Sequence, residues 1–110
     1  MSGSLTGEGR EPTRDEIDRM PGAVVLEFGA SWCGWCQAIR PQMAALLRTH
    51  PDVRHVSVED GPGRPLGRSF GVKLWPTLVF LRDGGVVRRL VRPSSEEIAE
   101  GFAELAAGAS

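Results

Sequence analysis

The chain has 110 residues, 41% hydrophobic and 25% charged, which is the size and balance of one globular domain with a single core. Its 13 basic residues nearly offset its 14 acidic ones, so no strong overall field draws in nucleic acid or an anionic membrane, and no apolar run approaches the roughly 18 residues of a membrane span. Two cysteines are too few for a disulfide scaffold, and their separation by two residues points to a reactive or metal-binding pair. The dominance of Arg over Lys among the cations reads as codon composition rather than a binding surface.

Residues 1–12 are rich in Gly, Ser and charge, with Leu5 the apolar exception, and read as a flexible arm or tag remnant ahead of a domain over residues 13–108. No basic region followed by an apolar run marks Met1 to Arg10 as a signal, so a cytoplasmic location is expected, unless a signal has already been removed. Thr13 and Glu16 form a capping-box pattern before Ile17 and Met20, which predicts a short helix stopped by Pro21-Gly22. Ala23 to Phe28 is an apolar run broken by Glu27, the pattern of a central strand buried on both faces. A carboxylate there calls for an explanation.

From Cys33 to Thr49 the residues Ile39, Met43, Leu46 and Leu47 recur at helical spacing, with Pro41 inside the helix removing one hydrogen bond and bending it. Val53 to Glu59, with Val56 and Val58 on one side, predicts a second strand. Asp60 to Arg68 reads as loop with a helical turn around Leu66 to Phe70. Thr77 to Leu81 and Val86 to Val91 are strands joined through Asp83-Gly84-Gly85, a hairpin signal. Ser94 and Glu97 make a second capping box, opening a helix to Ala107 that carries Ile98, Phe102, Leu105 and Ala106 on one stripe. The expected fold class is α/β: a central mixed sheet of four to five strands with helices on both faces.

Thiol/disulfide exchange needs an attacking thiolate and a second thiol near enough to release the mixed disulfide. At a helix start, unpaired backbone NH groups and the helix dipole lower the pKa of the first cysteine, and the second lies one turn on. Cys33 is therefore expected to be exposed and acidic, and Cys36 buried and less reactive. Half of a zinc site shares this spacing, but His50 and His55, spaced H-x4-H, lack further ligand support and no metal is expected. Two buried structural thiols are the blander reading; Trp32 and Trp35 beside the pair suit a surface ridge better.

The segments Phe28-Gly29-Ala30-Ser31-Trp32-Cys33-Gly34-Trp35-Cys36, Pro41 and Trp75-Pro76-Thr77 together, in order and spacing, resemble the thioredoxin family over residues 12–107. The resemblance also implies a lowered pKa for the first cysteine of the motif. The resemblance implies a thioredoxin-like fold in which Pro76 is a cis-proline facing the Cys pair and pairing with the substrate backbone. It places Glu27 where the family carries a buried Asp beneath the second cysteine. Burial should raise the pKa of Glu27 and let it take the Cys36 proton.

Departures from the family pattern are Trp35 in place of the dipeptide proline, the bulky Trp75 before Pro76, Arg92 where a groove-lining Gly is usual, and a first strand that is hard to find before Thr13. Trp32, Gly34, Trp35, Trp75 and Arg92 are the expected substrate-contacting residues. An apolar rim of this kind suits extended protein segments.

The function expected is a protein-disulfide oxidoreductase, acting as a reductase through the Cys33–Cys36 couple without a cofactor. Its partners would be disulfide-bearing proteins and an unidentified electron-donor reductase, and the chain is expected to be a monomer. A thioredoxin-fold chaperone or assembly factor with incidental cysteines is the alternative, and a carrier bridging a metal or cluster between two chains is a third.

Overall fold

A computed structural model describes residues 11–108 of the protein. The elements run α1 (Arg14–Asp18), β1 (Ala23–Gly29), α2 (Gly34–Thr49), β2 (Arg54–Glu59), α3 (Pro65–Ser69), β3 (Thr77–Arg82), β4 (Gly85–Val91) and α4 (Ser95–Ala107). Both capping boxes close: the Thr13 hydroxyl accepts from the Glu16 amide at 3.1 Å and Ser94 from Glu97 at 3.1 Å, with each glutamate reaching back to its cap amide. Helix α2 runs continuously through Pro41. The short α3 takes Pro65 in its first turn, where a missing NH breaks no intrahelical bond.

The sheet order is β2-β1-β3-β4, with β1 parallel to β2 and the other pairs antiparallel. Among the described residues the sheet has four strands and none precedes β1. Asp83 and Gly84 form the two-residue hairpin loop, both with positive φ (51° and 84°), the backbone of a type I′ turn that matches strand twist. A Cβ on Gly84 would stand 2.1 Å from the Asp18 carbonyl oxygen, so only glycine fits there. The arm expected over residues 1–12 lies outside the described residues except at its end: Pro12 is buried and Glu11 accepts a hydrogen bond from the Leu66 amide at 2.8 Å.

Every residue of β1 is buried, and its alternate side chains enter two cores. Val24, Leu26 and Phe28 pack with Ile17, Leu66 and Phe70 beneath α1 and α3. Val25 packs on the opposite face with Ile39, Met43, Phe80 and Phe102 beneath α2 and α4. Period-two alternation puts Glu27 and Gly29 on that second face, under the first turns of α2.

Candidate active site

Backbone and side-chain hydrogen bonds pin the segment between β1 and α2. The Cys33 amide donates to the Ala30 carbonyl at 3.0 Å, the Ser31 amide to Glu59 Oε1 at 3.1 Å, and Gln37 Nε2 to the Ser31 carbonyl at 2.8 Å. Cys33 thereby becomes the N-cap of α2, where its sulfur accepts the Cys36 amide at 3.2 Å in place of the usual side-chain oxygen. Both cysteines are free thiols; Cys33 is half-buried and Cys36 fully buried.

Their environments drive the two thiols apart. Partial desolvation is the largest single influence on Cys33 and opposes ionisation, but hydrogen bonds from the Cys36 thiol and the Cys36 and Trp35 amides, with the charge of Arg92, together outweigh it and lower its pKa. Burial first, then the Cys33 hydrogen bond and the charges of Cys33 and Glu27, push Cys36 up to about 11. A nucleophilic thiolate and a protonated reserve thiol thus sit one helical turn apart.

Across from the pair, the Trp75–Pro76 peptide is cis and Pro76 is buried. Its carbonyl accepts the Arg92 amide at 2.8 Å. Arg92 has φ 49°, a left-handed conformation that favours glycine and strains other residues; this is the physical sense of the glycine expected there. In this chain its side chain adds contacts instead: Nε donates to the Trp75 carbonyl at 2.9 Å and the guanidinium lies 5.3 Å from the Trp35 ring centroid. Trp75 meets Trp32 edge-on with centroids 5.5 Å apart and donates Nε1–H to Asp60 at 2.8 Å. Trp32 is 72% and Trp35 46% exposed. A groove of about 390 Å³ opens beside Cys33, lined by Trp32, Gly34, Lys73, Leu74, Trp75 and Arg92.

Glu27 is 6% exposed, an interior carboxylate rather than a surface-edge one. A cavity of about 20 Å³, room for one water, is lined by both Glu27 and Cys36, with Gly29, Ala30, Arg40, Ser57 and Glu59 among its other walls. A Cβ on Gly29 would come within 2.6 Å of Cys36 Sγ, so the glycine makes the space in which that thiol sits.

A family model for thioredoxin matches residues 11–104. The chain belongs to the thioredoxin family. It is 55% identical to thioredoxin 2 from Pseudomonas aeruginosa PAO1 in its reduced form, with a TM-score of 0.78 covering 89% of this chain and 92% of that one. A thioredoxin H-type of Ricinus communis is 32% identical over 81% of this chain and 75% of its own length. Protein disulfide-isomerase A2 of Pongo abelii is 42% identical over 74% of this chain, which spans 16% of that longer protein. The chain is a protein thiol–disulfide oxidoreductase.

The residues expected to be catalytic or to contact substrate lie together here: Cys33, Cys36, Glu27 and Pro76, and around them Trp32, Gly34, Trp35, Trp75 and Arg92. The two histidines separate into unrelated settings. His50 Nδ1 lies 2.8 Å from the Leu46 carbonyl oxygen and its ring packs on Phe102, whereas His55 Nε2 lies 2.7 Å from Glu27 Oε1. Glu27 is therefore not the lone carboxylate that its apolar strand suggests. His55, Asp60, Lys73 and Leu74 escaped sequence reasoning as parts of the site. For His55 a signal existed: it, Ser57 and Glu59 are the alternate polar positions of an edge strand whose other face is Val56 and Val58.

Proposed function

We propose that the protein acts as a protein-disulfide reductase through a domain of residues 13–108, with Cys33 attacking and Cys36 resolving. The observation carrying this reading is the asymmetry of the pair: a capped, half-buried thiol with lowered pKa beside a buried one held at about 11. Cys33 thiolate attacks one sulfur of a substrate disulfide, the other substrate sulfur leaves as thiolate, and a mixed disulfide forms. Cys36 then attacks Cys33 sulfur, the second substrate thiolate departs, and Cys33–Cys36 is left oxidised. Glu27 takes the Cys36 proton, a role supported by their shared water-sized cavity.

The groove beside Cys33 holds an extended segment of the substrate, with the Pro76 backbone orienting it and Trp32, Gly34, Trp35, Trp75 and Arg92 forming its walls. We place the activity in the cytoplasm, where thiols are kept reduced, with the chain as a monomer recharged by an electron-donor reductase.

Insulin reduction by Cys33→Ser is the test. Turnover should fall to background while the variant melts like wild type; wild-type turnover would falsify the assignment. Client binding that survives loss of both cysteines, with no turnover in the native protein, would mark a chaperone instead.

A further inference from the structure

Glu27 has a route to solvent that the exchange chemistry above does not use. In the parallel register of β1 and β2, Val25 lies beside His55 and Glu27 beside Ser57. The small Ser57 leaves room for the imidazole to lean along the strand, and His55 Nε2 reaches Glu27 Oε1 at 2.7 Å. The Glu27 side chain is 8% exposed and that of His55 30%, so the pair links a buried carboxylate to the surface at a sheet edge. A contact of this length between a ring nitrogen and a carboxylate oxygen holds one proton between them, whichever partner owns it.

The other groups around Glu27 are few. Helix α2 contributes Cys36 and Arg40 to the shared cavity, β2 contributes Ser57 and Glu59, and β3 places apolar Leu78 opposite Glu27. Glu59 is engaged by the Ser31 amide, and Arg40 stands exposed one turn beyond Cys36. Among these, only His55 is shown in hydrogen-bond contact with the carboxylate.

We propose that His55 is a positioning residue for the resolving step, orienting Glu27 through Oε1 and carrying the Cys36 proton from that carboxylate to solvent. The inference rests on the assignment of Glu27 as proton acceptor. In the step, the Cys36 sulfur lone pair forms the new bond to Cys33 while the bond from Cys33 to substrate sulfur breaks. With the shared proton on Oε1 and the imidazole proton on Nδ1, the Cys36 proton passes to Oε2 of Glu27 as the Oε1 proton shifts to Nε2 and the Nδ1 proton leaves to water; the departing substrate thiolate takes its own proton from water. One proton enters at Cys36 and one leaves at Nδ1, so the pair ends the step with as many protons as it began.

The experiment mixes reduced protein with excess chromogenic aryl disulfide. One aryl thiol is released by Cys33 attack in a phase that scales with reagent concentration; a second is released by Cys36 in a concentration-independent phase. For His55→Gln, the first phase should match wild type, and the second should slow about tenfold, below the full range of general acid–base effects, with a pH profile that departs from wild type. Imidazole added to His55→Ala should restore the second phase. Urea unfolding midpoints for both variants check that the fold is intact.

An unchanged second phase in His55→Gln overturns the proposal, as does a slowed one that keeps the wild-type pH profile and resists imidazole. A Glu27→Gln variant separates the two readings. If it resolves at the wild-type rate, the assignment of Glu27 fails; if it is slow while His55→Gln is normal, only the relay fails.

Discussion

The two faces of β1 are made from neighbouring residues of one strand, yet they are put to different uses. Val24, Leu26 and Phe28 fill one core with other apolar side chains. The other face begins the same way at Val25 and then gives up two core positions, one to a carboxylate and one to a glycine. Both concessions fall directly beneath Cys36, where the cavity and the buried thiol lie. Apolar packing fills one face and the far end of the other, and the end beneath Cys36 keeps a small space instead.

The largest way to break this contrast is Phe28→Ala. The ring is fully buried and packs on Phe70 with centroids 5.9 Å apart, and its loss should lower unfolding free energy by about 3–5 kcal/mol in urea titrations. Cys33 attack on the aryl disulfide in native buffer should be unaffected. Gly29→Ala comes next. The new methyl meets Cys36 Sγ, so stability should drop by about 1–3 kcal/mol from overpacking and the resolving phase should slow; neither change would show that the thiol simply moves aside.

Glu27→Leu sharpens the contrast because it makes the two faces alike. Replacing a buried carboxylate by an apolar group of similar size should raise stability by about 1 kcal/mol while slowing resolution. A destabilised variant would mean that the His55 contact matters more to folding than to chemistry.

Smallest near neutrality is the pH slope of the reduced protein. Cys36 holds its proton more tightly folded, up to about 11, than in the unfolded chain at about 8.5; its stabilising contribution is complete below about pH 8.5 and is lost as pH rises toward the folded value. Cys33, depressed in the folded state, has the opposite sign: its contribution is present above the unfolded pKa and lost as pH falls through the folded one. Urea titrations along a pH series should show an alkaline loss that Cys36→Ala removes, and an alkaline slope untouched by that change would sink the assignment to Cys36.

Much of the fold was legible in residue order because it is local. The capping boxes of Thr13 and Ser94 act over three residues, the Asp83-Gly84 turn over two, and the helical stripes over single helices. The Cys33–Cys36 pair belongs to the same class, since a helix start acts on its own first turn. The buried Glu27 was visible as an anomaly without a partner.

Its partner was not legible. His55 is 28 positions away, and whether it or Ser57 meets Glu27 depends on a parallel register that no short-range pattern encodes. The same holds for Asp60 on Trp75, for Arg92 over Trp35 and for Lys73 and Leu74 in the groove. The residue order alone determined the elements, their caps and the reactive pair, because hydrogen bonds between near neighbours need no other part of the chain. Tertiary structure decided which charges and rings surround that pair, because strand register and loop packing are settled only when distant segments bury their apolar faces together.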